Sequence, residues 1–226
     1  MQGKIIVIEG LDGTGKHTQS ELLYKKLSKE YNKVKLLSFP NYNNDSSYFV
    51  SKYLHGGIDK DPNNVNPYAA SMFFATDRYI SYIKEWKKYY DEGYIIICDR
   101  YVLSNAIYQL PKLETDADKN RFLTWLYETE FNNIGLPKPD LTIYLSLDTS
   151  IANKLLDKRY NHNDGMRDIH ETKEFQEQCS RSMDFISNHG FIGELLILIC
   201  NNENGDMYSV EDIHDDIYFY TKEILE

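Results

Sequence analysis

The sequence predicts an α/β fold, an open parallel five-stranded sheet with helices on both faces. Three observations lead there. Short, continuous apolar runs recur along the chain, as strands buried on both faces require. Segments of helical periodicity separate them, and that alternation implies helices packed on a mainly parallel sheet. The first run also ends in a glycine-rich turn that opens a helix.

In chain order, Lys4 to Glu9 is the first strand, ending at Gly10, and a helix follows from Lys16 with Leu22, Leu23, Leu27 and Tyr31 at helical spacing. Val34 to Phe39, Tyr94 to Asp99, Leu141 to Leu147 and Leu195 to Cys200 supply the other strands. Helical periodicity covers Pro67 to Tyr89, Asp118 to Phe131, Glu171 to His189 and Val210 to Leu225, with Thr115 or Asp116 as an N-cap. The polar stretch Asp157 to Glu171 has few apolar anchors, which predicts a mobile lid. No repeat or low-complexity linker divides the 226 residues, so a single domain over 1–226 is expected. In such sheets ligands sit beyond the carboxyl ends of the strands.

Hydrophobic residues at 42% and charged residues at 27% are ordinary for a folded chain. The longest apolar runs fall far short of the roughly 20 residues of a spanning helix, and the first residues lack a signal-peptide core, so neither membrane insertion nor secretion is expected. Cys98, Cys179 and Cys200 are widely spaced without a CxxC pair and read as reduced cytosolic thiols. The net charge of −10 opposes attraction to nucleic acid or anionic membranes. An anionic ligand must therefore be captured by a few concentrated cations and backbone N–H groups. His55, His162, His170, His189 and His214 show no ligand spacing, which favours surface or loop roles.

The turn Gly10-Leu11-Asp12-Gly13-Thr14-Gly15-Lys16-His17-Thr18 follows the phosphate-loop pattern G-x-x-x-x-G-K-[ST] everywhere except at His17. Its glycines let successive N–H groups converge on phosphate oxygens, the helix start adds its dipole, and Lys16 reaches the terminal phosphates. The expected fold is therefore of the P-loop NTPase type. Gly10, Asp12, Gly13, Thr14, Gly15, Lys16, His17 and Thr18 are the candidate ATP-binding positions. His17 lacks the hydroxyl that ordinarily ligates Mg²⁺, and Thr18 points about 100° away around the helix. Magnesium is then expected to be held chiefly by nucleotide oxygens and waters, with Asp99 orienting the waters.

Asp99 and Arg100 lie where an apolar run ends, and there a carboxylate and a guanidinium suit metal-bound water and phosphate. A strand-end ion pair is the plain alternative. Phe74 and Arg78 are one helical turn apart. They serve base stacking with hydrogen bonding, or else they are a core Phe beside a surface Arg. Asn201 to Asn204 borders an adenine or is simply a polar loop.

GLDGTGKHTQ at the loop, FPNY at 39–42, FFATDR at 73–78 and DRYVLSNAIYQ at 99–109 together resemble bacterial thymidylate kinases over the whole chain. PD at 139–140 and D-x-x-E at Asp168 and Glu171 fit the same pattern. The resemblance implies ATP-dependent phosphorylation of dTMP to dTDP in the cytoplasm by a homodimer, with Mg²⁺ accompanying ATP. It implies an acceptor region at about 40–80 and 99–109 and a lid at about 157–171. Lys16 and the loop amides would bind ATP phosphates, and Asp12 would hold the acceptor's 3′-hydroxyl. Phe74 would stack on thymine, Arg78 would bond its exocyclic oxygen and Asn105 would read the base edge. Tyr108 would crowd the 2′ position, Tyr42 would line the acceptor pocket, Arg100 would grip the acceptor phosphate and Asp99 would organise Mg²⁺. Members with Gly at the place of Gly13 carry their catalytic arginine in the lid, so Arg159 or Arg167, supported by Lys158, is the implied donor. A solvated charge cluster is the plain alternative for those three. Two other functions stay open at this point: another P-loop nucleoside or nucleotide kinase, and a non-catalytic nucleotide-binding module whose metal site has decayed at His17.

Overall fold

The computed structural model describes residues 2–161, 168–189 and 193–226. In chain order the elements are β1 Lys4–Gly10, α1 Lys16–Leu27, β2 Val34–Ser38, α2 Tyr48–Leu54, α3 Pro67–Ser81, α4 Lys87–Asp91 and β3 Ile95–Asp99. There follow α5 Val102–Gln109, α6 Asp116–Tyr127, β4 Leu141–Ser146, α7 Thr149–Asn161, α8 Lys173–His189, β5 Leu195–Ile199 and α9 Val210–Leu225. The strands form one parallel sheet in the order β2-β3-β1-β4-β5.

Alternation along β1 explains why its run is apolar throughout. Ile5 and Val7 pack into a cluster with Ala106 of α5, Phe122 of α6 and Phe175 of α8, while Ile6 and Ile8 meet Leu23 and Leu27 of α1 and Ile213 and Ile217 of α9. Both faces are covered, as the sequence implied. Register places Ile8 opposite Asp99, so the glycine loop and the Asp99-Arg100 pair emerge side by side.

Local signals fix several boundaries. Asn66 accepts from the Tyr68 and Ala69 N–H groups, and Pro67 occupies the first turn of α3. Thr115 is the cap of α6, accepting from the Asp118 N–H at 3.1 Å. The helix expected over Pro67 to Tyr89 is interrupted by a π turn, Tyr82–Trp86, and the one expected to reach Phe131 ends in a second π turn, Glu128–Asn133.

Three helices escaped the periodicity. In α5 every residue but Ser104 is buried, so no polar face marks it. The second, α2, is only seven residues long. The third is α7: residues 157–161 of the expected lid are helical and continue from the buried Ala152 and Leu156. Residues 162–167 of that lid, with His162 and Arg167, lie outside the described residues. Among the described residues no helix is long and apolar enough to cross a membrane.

Candidate active site

A cleft of about 500 Å³ opens at the carboxyl ends of β1 and β3. Gly13 and Gly15 of the loop hold φ of 85° and 88°, a region glycine enters without a Cβ clash. Gly15 caps α1 without any side-chain partner, the arrangement that leaves helix amides to an anion. Lys16 is buried, and its Nζ donates to the Leu11 carbonyl at 2.6 Å and stands 3.9 Å from the Asp12 carboxylate. Burial, reinforced by the Arg100 charge, lowers its pKa to about 8. A Cβ on Gly13 would come within 2.4 Å of the Ala152 carbonyl oxygen in α7, so position 13 has no space for a side chain. His17 is exposed, its Nδ1 3.2 Å from an Asp99 carboxylate oxygen, and Thr18 is exposed beside it.

Arg100 has φ 68°, a conformation that costs a side-chain-bearing residue about 1–3 kcal/mol. Glu9, fully buried at the end of β1, holds the turn in place. Its carboxylate accepts from the Tyr101 N–H at 2.7 Å, the Ser104 N–H at 3.1 Å and the Ser104 hydroxyl at 2.8 Å, which supplies α5 with its N-terminal acceptor. Burial raises the Glu9 pKa despite the opposing pull of Arg100. The Arg100 guanidinium pairs with Asp12 and donates to the Ser104 hydroxyl at 3.3 Å. Asp12 also accepts from the Tyr108 hydroxyl at 2.8 Å and the Gln176 amide at 3.2 Å. Burial pushes the Asp12 pKa up, but Arg100 and Lys16 outweigh it and hold the carboxyl well below its ordinary range.

At the other end of the cleft Phe74 is half-buried, edge-on to Tyr53 with centroids 6.1 Å apart. Arg78 is not at the surface: it is 2% exposed and forms a two-pronged ion pair with the fully buried Glu130, Nε at 2.7 Å and Nη2 at 2.6 Å. Asn105 donates from Nδ2 to the same carboxylate at 2.9 Å. Tyr42 lines the mouth of the cleft, 56% exposed. His170 is buried rather than superficial. Its ring stacks against both Tyr108 and Phe175, which also meet each other, and its Nε2 is 2.9 Å from the Tyr53 hydroxyl. Burial, together with the Lys112 charge, lowers its pKa to about 3 and keeps it neutral. Burial and the neighbouring Asp12 and Glu171 raise Asp168 to about 7.

The cleft thus brings together Asp12, Gly13, Gly15, Lys16, His17, Thr18, Tyr42, Phe74, Arg78, Asp99, Arg100, Asn105 and Tyr108. Gly10 and the buried Thr14 complete the loop, the Thr14 hydroxyl donating to the Leu11 carbonyl at 2.9 Å. Lys158 is exposed near the end of α7, while the side chain of Arg159 and the whole of Arg167 lie outside the described residues. Sequence reasoning missed Glu9, Glu130 and Gln176. Of these only Glu9 carried a signal, as an acidic residue at the end of a buried apolar run. Among the described residues, no group of three His, Cys, Asp or Glu side chains could hold a metal ion.

The family model described as thymidylate kinase matches residues 8–195. The chain belongs to the thymidylate kinase family. A thymidylate kinase of Mycobacterium tuberculosis strain H37Rv is 31% identical over 199 residues, which cover 86% of this chain and 90% of that protein. One from Plasmodium falciparum isolate 3D7 is 29% identical, covering 96% of this chain and 88% of its own. The solved thymidylate kinase of Candida albicans superposes with a TM-score of 0.72 at 24% identity, over 100% of this chain and 94% of that one, and so shares the fold. As a thymidylate kinase family member the chain is a phosphate-transferring kinase on the parallel five-stranded scaffold that its sequence implied.

Proposed function

We infer that the cleft carries out ATP-dependent phosphorylation of dTMP to dTDP. One observation carries the assignment of roles: Lys16 of the phosphate loop and Arg100 of the β3 turn both stand against Asp12, so a donor's phosphates and an acceptor's phosphate meet at one wall. Lys16 and the loop amides hold the ATP phosphates. Arg100 takes the acceptor phosphate, Asp12 accepts from the sugar 3′-hydroxyl and Tyr108 closes the space at C2′. Phe74 stacks on the base, Arg78 and Asn105 read its edge and Tyr42 lines the entrance.

The acceptor phosphate is mostly ionised at neutral pH, so its oxygen attacks the γ-phosphorus without a strong base, and ADP leaves with the bridging electrons. The barrier is the approach of two polyanions, and cations fixed beforehand lower it as charge spreads over the transferred group. Magnesium travelling with ATP would screen the phosphates. Asp99 suits it, since one carboxylate oxygen faces His17 Nδ1 and the other accepts no hydrogen bond from a described residue. His17 offers no hydroxyl, so nucleotide oxygens and waters complete the shell.

Lack of space at Gly13 supports a lid arginine, Arg159 or Arg167, with Lys158 beside it, as the remaining cation. The chain is read as one domain with that lid, and the family likeness supports a cytoplasmic homodimer. Incubation with γ-labelled ATP and dTMP tests the reaction: the label should move to dTDP. Label released only as inorganic phosphate contradicts it.

A further inference from the structure

We propose that Glu130 is a positioning residue that sets which pyrimidine the cleft accepts, by fixing Asn105 and Arg78 as one acceptor and one donor aimed at the base. The proposal rests on reading the cleft as a thymidylate site. Glu130 lies in the π turn Glu128–Asn133, fully buried, 52 residues along the chain from Arg78 and 25 from Asn105. Its Oε2 accepts from Arg78 Nε, and its Oε1 accepts from both Arg78 Nη2 and Asn105 Nδ2.

A primary amide has two N–H donors. Both of those on Asn105 are spent away from the base, one on Glu130 and one on the Ser71 carbonyl at 3.2 Å. A carboxylate and a carbonyl accept and never donate, so rotating the amide would set Oδ1 against two acceptors. The orientation is therefore dictated by chemistry rather than by a choice between indistinguishable atoms. What remains is Oδ1, an acceptor with no partner among the described residues, on a side chain that lines the cleft. Arg78 is committed in the same way. Its Nε and Nη2 are held by Glu130, while Nη1 bonds to no described residue and Arg78 also lines the cleft.

The base therefore meets an acceptor beside a donor. Thymine and uracil offer the complement, N3–H beside O4. Cytosine offers the inverse, a bare N3 beside an N4 amino group, so both of its contacts fail. Sites built to bond one such group reject the mismatched analogue by about 10⁴–10⁵. Glu130 thus separates 4-oxo from 4-amino pyrimidines and leaves the 5-methyl group to other residues.

Glu130→Gln is nearly isosteric, but both carboxylate oxygens accept from Arg78, so the new amide must turn an N–H toward an Arg78 donor and no longer holds Arg78 and Asn105 in one fixed arrangement. The ratio of kcat/KM for dTMP to that for dCMP should fall by about 10-fold or more, with the acceptor KM moving and the ATP KM unchanged. A merely structural role lowers activity on both acceptors alike, and a ratio taken on one preparation is independent of the folded fraction. An unchanged ratio, with dTMP still turned over, overturns the role of Glu130 alone, whereas a wild-type protein that ignores dTMP overturns the thymidylate reading. If Glu130→Gln does not fold, the wild-type protein decides. Its kcat/KM for dCMP, which differs from dUMP only at the N3–C4 edge, should lie at least about 10-fold below that for dUMP. Values within about twofold overturn the proposal.

Discussion

The Tyr108 hydroxyl donates to the Asp12 carboxylate at 2.8 Å, tying α5 to the phosphate loop across the cleft. The ring itself is fixed by His170, 5.1 Å away between centroids and tilted by 23°. Tyr108→Phe leaves Asp12 with Arg100 and Gln176, so stability should drop by about 1 kcal/mol, measured by denaturant melts. Tyr108→Ala removes the ring as well, and the preference for dTMP over its ribo counterpart should narrow. An unaltered ratio would place the ring away from the sugar.

Arg100→Ala should reduce kcat by about 10²–10³, the range for loss of a preorganised group that meets developing charge. Arg100→Lys keeps the charge without the fork and should recover only part of the loss. Single-turnover kinetics with saturating ATP measure both. Near-normal turnover in Arg100→Ala would remove the residue from the phosphate site.

Lys16 makes the pH response directional. Its pKa of about 8 lies below the ordinary value of 10.5, so the unfolded chain binds more protons than the native one between those pH values. The free enzyme accordingly carries the full destabilisation below pH 8 and regains stability as pH rises through that window. Bound triphosphate restores the Lys16 charge, so ATP binding should take up protons between about pH 8 and 9. Calorimetry in buffers of different ionisation enthalpy measures the uptake, which Lys16→Met should abolish.

Gly13 and Gly15 should respond unequally to alanine. Both hold left-handed φ, but only at Gly13 would a Cβ strike backbone, at 2.4 Å from the Ala152 carbonyl oxygen, whereas nothing lies within 4 Å at Gly15. Gly15→Ala should cost about 1 kcal/mol and Gly13→Ala about 2–4 kcal/mol. Equal melting temperatures for the two variants would contradict the close approach of α7.

His17→Ser supplies the hydroxyl that the loop pattern ordinarily carries. With magnesium held through nucleotide oxygens and Asp99-bound water, the Mg²⁺ concentration for half-maximal turnover should change by less than about threefold. A larger shift would make position 17 a ligand.

The sequence was legible where one residue's neighbours along the chain determine its place. Lys16 follows the glycine loop, and Asp99 and Arg100 close an apolar run, so their positions at the strand ends followed from pattern alone. Glu130 was not legible, because its role depends on a π turn and on Arg78, 52 residues away. Gln176 reaches Asp12 across 164 residues, and α5, buried on almost every side, lacks the polar face that periodicity needs. His170 lies in a turn, as a loop histidine would, but nothing local shows that its ring is buried against Tyr108 and Phe175.

The central claim is that donor and acceptor occupy one cleft together, end to end across Asp12. Calorimetry with a bisubstrate compound, adenosine and thymidine joined 5′ to 5′ through five phosphates, tests it most directly. One molecule should bind per chain, and saturating ATP or saturating dTMP should each displace it. Displacement by only one of them, or no heat at all, would contradict the shared cleft.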